Sequence, residues 1–229
     1  MRYFWYISQT KLDHLASQQE TAFDRLRASL SALIKAEIKT PVASIGVEMK
    51  RPEVDPNQVR SLERLEKKLR HAGLVKSIED FRAARPVLFF EFHGPAARLI
   101  QDGQFWLATL VGETAILLAG SAAHCIGSSN PPSNAISPSA DPLGSIESFL
   151  SDGSTGGEPA NNLSYIWATV ARESTERLGG FEALPYAKGI AVLAGSAKSD
   201  FTLIRENGYE GPIDRIIIGS PIFVEQAGL

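Results

Sequence analysis

The stretch Gln104-Phe-Trp-Leu-Ala-Thr-Leu-Val-Gly-Glu-Thr-Ala-Ile-Leu-Leu-Ala-Gly-Ser121 decides the fold class. Two apolar runs, Gln104 to Val111 and Thr114 to Ala119, are separated only by Gly112-Glu113. A two-residue connection containing glycine predicts a tight hairpin between antiparallel strands. A parallel crossover needs a dozen residues or more. Just upstream, residues 86–93 (Pro-Val-Leu-Phe-Phe-Glu-Phe-His) read as another strand. Three strands with short connections favour an antiparallel meander over a doubly wound parallel sheet.

Working outward, Arg2 to Ser8 reads as a first strand. Phe23, Leu26, Leu30, Leu33, Ile34 and Ile38 recur at helical spacing and predict an amphipathic helix over 19–38, ended by Pro41. Ile45, Val47 and Met49 alternate as a strand does. Asp55-Pro56 predicts a helix start, Val59, Leu62, Leu65 and Leu69 its buried stripe, and Gly73 its end. Downstream, 127–141 is rich in Ser, Pro and Asn and reads as an exposed, mobile loop. A short helix near 142–150 follows, flanked by a polar stretch at 151–162; Tyr165 to Val170 is β-prone and reads as a strand. The expectation is an α+β fold with mainly antiparallel sheet and helices concentrated in the N-terminal third. One domain spans 1–229, with a flexible Ser/Pro-rich insertion at about 127–141.

A chain of 229 residues with 44% hydrophobic and 21% charged residues can bury a full core. A net charge of −3 argues against a general nucleic-acid coat or a membrane-surface protein. The apolar runs are too short to cross a bilayer, and the N-terminal segment lacks a signal-peptide pattern. The single cysteine, Cys125, excludes an internal disulfide framework and a cysteine-based zinc site. The expected setting is reducing and cytoplasmic, with no disulfide-linked partner. His14, His71, His93 and His124 are far apart and form no metal-binding pattern, and no Walker loop or Gly-x-Gly-x-x-Gly occurs. No metal or cofactor is expected.

An apolar run ending in Gly-Ser occurs three times, at Gly120-Ser121, Gly195-Ser196 and Gly219-Ser220. If each ends a strand, its exposed N–H groups and hydroxyl can hold an anion; the plain alternative is that Gly and Ser only terminate strands. Lys198 lies two residues beyond the second copy. Ser8-Gln9-Thr10-Lys11 has Ser-x-x-Lys spacing, but the partner motifs of penicilloyl-type hydrolases are absent. Ser8 closing the first strand and Lys11 opening a helix would present a hydroxyl, a cation and helix N–H groups to a phosphate; the alternative is a surface lysine beside a cap. His124 is the leading acid–base candidate, three residues past the expected strand end at Gly120-Ser121, and His93 is the second. Cys125 reads as buried packing. The helix near 56–72 is basic, as a solvated face or one wall of a groove.

Three signatures in order, Tyr6-Ile-Ser-Gln-Thr-Lys-Leu-Asp13, Gly120-Ser-Ala-Ala-His-Cys-Ile-Gly127 and Gly219-Ser-Pro-Ile-Phe-Val224, together resemble a bacterial domain family of unknown function. The resemblance covers nearly the whole chain. It implies an association with bacterial conflict and antiviral signalling, and hence a small nucleotide or other anionic ligand. Two function classes follow. One is a metal-independent phosphodiesterase (a hydrolase or nuclease of ring-nuclease type), with His124 as general acid or base, alone or with His93. Ser8, Lys11, Gly120, Ser121, Gly195, Ser196, Lys198, Gly219 and Ser220 would then be ligand contacts. The other is a sensing module with the same pocket and no chemistry. A scaffold in which the Gly-Ser units are only turns remains as the third reading. A homodimer is a candidate state, and no membrane is expected.

Overall fold

The Gly112-Glu113 hairpin forms as the sequence requires. In the computed structural model Gly112 has φ 59°, and Val111 faces Thr114 across the turn. The structure describes residues 2–17, 55–78, 88–101, 104–126, 158–178, 183–198, 202–203 and 211–227. The expected helix over 19–38, strand at 45–49, loop at 127–141 and helix at 142–150 lie outside these residues. In chain order the elements are β1 (Tyr3–Ile7), α1 (Gln9–Ser17), α2 (Pro56–His71), β2 (Val75–Lys76), β3 (Phe89–Gln101), β4 (Gln104–Val111), β5 (Thr114–Ser121), a 3-10 turn (Ala122–His124), α3 (Glu158–Leu178), β6 (Tyr186–Lys198), β7 (Thr202–Leu203), β8 (Gly211–Pro212) and β9 (Arg215–Gln226). The start of α2 is as expected: the Asp55 side chain accepts from the Asn57 N–H at 2.8 Å, and Pro56 follows. Gly73, with φ 65°, follows the helix end.

β3, β4 and β5 pair in antiparallel succession. β9 then joins β5 in parallel, β6 pairs antiparallel with β9, and β6 returns to pair antiparallel with β3. The ring closes into a five-stranded barrel. β1 adds to β9 antiparallel, and β2 to β3 in parallel. The sheet is therefore mixed rather than mainly antiparallel. The helices are not confined to the N-terminal third either, because the 21-residue α3 links β5 to β6.

The expected strand at Tyr165 to Val170 lies inside α3. Leu163, Ile166, Trp167, Val170 and Ala171 are buried at i, i+3, i+4, i+7 and i+8, which is one face of a helix. Burial of that stripe overrode the β-prone composition. Trp167 Nε1 donates to the Thr109 carbonyl at 3.0 Å, which fixes α3 on β4.

Alternate strand residues divide between two apolar clusters. Trp106, Ala108, Leu110, Ala115, Leu117, Ile216 and Ile218 join the buried residues of α1, α2 and α3, so they face outward beneath helices. Phe90, Phe92, Phe105, Leu107, Ile116, Leu118, Ala191, Ile217 and Tyr6 cluster without any helix residue and fill the barrel interior. Four aromatic rings in so narrow a space need room, and glycines supply it. A Cβ on Gly219 would stand 2.7 Å from the Val192 carbonyl oxygen and 2.9 Å from the Phe90 ring. One on Gly189 would stand 2.8 Å from the Phe92 ring, and one on Gly120 would stand 2.9 Å from Cζ of Tyr6.

This corrects the strand-end reading of the repeated Gly-Ser. Only Ser121 ends a strand; Gly195-Ser196 lies within β6 and Gly219-Ser220 within β9. Gly195 follows an irregularity in the β6–β9 register, and Gly219 is where the Phe90 ring approaches the backbone. The strand expected to stop at His93 likewise runs on to Gln101. Gly94-Pro95 marks where β3 passes from pairing with β6 (through Pro95) to pairing with β4 (from Ala96).

Gly219→Ala should lower unfolding free energy by about 1–3 kcal/mol through overpacking. Gly112→Ala, where nothing lies within 4 Å of the added Cβ, should cost about 1 kcal/mol from its positive φ alone. Urea midpoints of the two variants test both values; a neutral Gly219→Ala would refute the interior packing.

Candidate functional site

β9 has two successive neighbours along one edge. Its pairing with β5 ends at Gly219, and its pairing with β1 begins at Phe223. Backbone groups at such a change lose their ladder partners, and buried ones must find others. The Ser220 hydroxyl donates to the Ala119 carbonyl at 2.9 Å, and the Ser8 N–H donates to the Ile222 carbonyl at 2.9 Å. Pro221, which has no N–H, falls within this gap.

Ser8 also caps α1. Its Oγ accepts from the Lys11 N–H at 3.3 Å, and its carbonyl accepts from the Leu12 N–H at 3.0 Å. The expected junction of strand end and helix start is therefore present. The Lys11 side chain, however, is fully buried, with Nζ 3.5 Å from Ser8 Oγ. Lysine is seldom so placed unless its charge is met inside the protein. Ser8 and Ser220 are sealed as well. These three groups form a floor that solvent does not reach.

Thr10, Ser121 and His124, exposed or half-buried, form a solvent-facing rim beside them. Ser121 Oγ accepts from the Ala123 N–H at 3.3 Å and starts the 3-10 turn that ends at His124. His124 is half-buried, with Nε2 3.5 Å from Thr10 Oγ1 on α1 and its ring edge-on to Tyr6 at 5.7 Å. Tyr6 stacks on Phe105 at 4.9 Å and passes against Gly120. The fold thus gathers Ser8, Lys11, Gly120, Ser121, His124, Gly219 and Ser220 at one corner from three distant segments. Thr10 and Tyr6 complete it. Sequence reading passed over both, although Thr10 lies inside the Ser-x-x-Lys motif and Tyr6 opens the first signature.

The remaining candidates lie elsewhere. Gly195 and Ser196 pair with Ile218 and Ile217 along the opposite edge of β9, and Lys198 is exposed opposite Arg215. His93 is exposed on β3, edge-on to Tyr186 at 5.7 Å. The row His93, Lys188, Glu225, Phe4 places it across β6 and β9 from β1, so the two histidines do not form an acid–base pair. Among the described residues no group of three His, Cys, Asp or Glu side chains is placed to hold a metal.

Cys125 is buried beside the corner, and burial pushes its thiol up to about 12 from an ordinary value of 9.0, against a smaller opposing effect of Arg98. The folded state therefore holds this proton more tightly than the unfolded chain does. Its contribution to stability is complete below pH 9 and is lost as pH rises from 9 towards 12. A thiol-specific disulfide reagent at pH 8 should leave Cys125 unlabelled in native protein and label it fully in denaturant. Cys125→Ala should flatten the alkaline fall in stability.

Barrels of five strands in Greek-key order include the OB-fold, which carries oligonucleotides or oligosaccharides on its second and third strands. Here the matching outer face of β4 and β5 lies beneath α3, with Trp106 and Leu117 buried. Architecture alone therefore assigns no ligand. No helix among the described residues is long and apolar enough to cross a membrane. Neither the curated proteins nor the solved structures contain a match to this chain. A model of a family of unknown function, DUF7019, matches residues 2–228. The three signatures and the barrel that joins them all fall inside that span, and the chain belongs to the DUF7019 family.

Proposed function

We propose that the protein binds a small nucleotide or related phosphorylated ligand at the corner rim formed by Thr10, Ser121 and His124. The observation that carries this reading is the convergence of residues 8–11 with residues 120–124 at the point where β9 changes partners. The Thr10 hydroxyl and the His124 imidazole meet there, beside the end of β5, the kind of strand-end placing binding sites often have. Ser8, Lys11 and Ser220 support the rim instead of touching the ligand. The family resemblance suggests a setting in bacterial defence signalling.

Metal-independent phosphodiester cleavage is the second reading, favoured by the 3.5 Å contact of His124 Nε2 with Thr10 Oγ1, which orients the ring. His124 would act as general acid or base, and an RNA-like substrate would bring its own 2′-hydroxyl as nucleophile. His93 has no part in either reading at this corner.

The test is incubation of purified protein with linear and cyclic oligonucleotides in EDTA, with binding and products measured together. Binding without products supports the sensing reading; products support the second. Neither leaves the corner a structural device. If there is turnover, His124→Ala should lower it by about 10²-fold or more while the melting curve stays near wild type. Lys11→Ala should act differently, lowering stability by about 2 kcal/mol or more because it empties a buried position. Its effect on ligand affinity should not grow at low salt; strong salt dependence would show that Lys11 meets the ligand directly.

A further inference from the structure

A cleft of about 360 Å³ opens between α2, β3 and β6. Arg2, Arg70, His93 and Lys188 all line it, so cationic and imidazole groups from four separate segments face one space. Arg2 is a fixed wall: its Nε donates to Glu225 at 2.8 Å, and its guanidinium lies over Phe4 at 4.9 Å and Phe223 at 5.6 Å. Arg70 is held differently. One nitrogen donates to Glu91 Oε2 at 2.6 Å, and two others reach Glu66 at 3.3 Å. These carboxylates outweigh the opposing effect of burial and raise the Arg70 pKa, so it stays cationic. The Arg70 and Glu91 side chains are 45% and 41% exposed, and a solvated pair of this kind contributes little net stability. Lys188 is half exposed, 3.8 Å from Glu225.

We propose that this cleft is a binding site for the phosphate group of a phosphate monoester, and that Glu91 occupies Arg70 until the phosphate displaces it. The swap is cheap on one side and favourable on the other. Glu91 returns to water from a site that is already wet. A phosphate presents more charge and three acceptor oxygens to the Arg70 nitrogen that Glu91 leaves, while Glu66 keeps the other two in place, and the ammonium of Lys188 is a second point charge. The exposed Tyr186 ring beside His93 offers a face on which a base can stack, which favours a nucleoside monophosphate over the bare ion. The volume lies in the range of small-molecule pockets. The site shares no residue with the His124 corner and does not depend on it.

The test is calorimetric titration with inorganic phosphate and with adenosine 5′-monophosphate, in chelator at low ionic strength. Wild type should bind both, the nucleotide more tightly. Arg70→Gln should weaken both by about tenfold or more, the scale of a charge-assisted hydrogen-bonded contact. Tyr186→Ala should weaken the nucleotide alone. Glu91→Gln is the decisive variant, because removing the competing carboxylate should tighten both several-fold; a cleft with only a structural role predicts no gain. Lys188→Gln, at an exposed position, repeats the Arg70 test without disturbing α2. Failure of wild type to bind either probe would overturn the proposal, as would unchanged or weaker binding in Glu91→Gln. Binding that survives Arg70→Gln but is lost in His124→Ala would place the ligand at the corner instead and overturn the cleft alone.

Discussion

A strand that changes partners midway must satisfy the backbone groups left between the two pairings, and much of this structure is arranged around that requirement. β9 leaves β5 at Gly219 and meets β1 at Phe223. In the gap the Ser220 hydroxyl supplies the Ala119 carbonyl with a donor, and the Ser8 N–H answers the Ile222 carbonyl. β3 differs in that its two ring neighbours lie on opposite edges, the pairing with β6 ending at Pro95 and that with β4 beginning at Ala96. In both strands a glycine admits a close backbone approach, and a proline stands where a ladder donor is not needed. The candidate corner exists because β9 switches there: Lys11 and His124 are carried in by the segments that close the gap.

The hairpin, the cap of α2 and the apolar stripe of α2 were legible in the sequence because each depends on neighbours within a few positions. The barrel was not. Its closure depends on β6 reaching both β3 and β9, and no local pattern records which strands meet across long separations. The Gly-Ser repeat was visible, but its meaning was not. Glycine before serine looks the same whether it ends a strand, as at Ser121, or makes room for a ring, as Gly219 does for Phe90. α3 was misread for a related reason. Tyr165, Ile166, Trp167 and Val170 suit a strand one by one, and only the wider spacing from Leu163 to Ala171 shows the helical face.

Only part of the candidate set comes together, since His93, Gly195, Ser196 and Lys198 lie away from the corner. Ser8, Lys11, Ser121, Ser220 and His124 do assemble, but the sequence places a lysine near a serine without telling which way it turns. A solvated cation and a sealed one have identical sequence neighbours. The charged cleft was hidden for another reason. Arg2, Arg70 and Lys188 are ordinary surface residues until α2 is laid against β3 and β6, with Glu66 bridging Arg2 and Arg70.

The pairing of β1 with β9 sets the order of assembly. Arg2 and Glu225, which bond at this junction, are separated by 223 positions. The segment Phe4-Trp-Tyr-Ile7 is buried in the finished fold, yet beyond a single bridge from Tyr6 to Cys125 its strand partner is β9. During translation it is an apolar ribbon with unpaired edges, of the kind that invites capture by other chains. Contacts over so long a span also make closure slow. A chain interrupted before Arg215 would therefore keep its central meander but lose both the strand that seals the ring and the partner of β1. Its hazard would be aggregation seeded from β1.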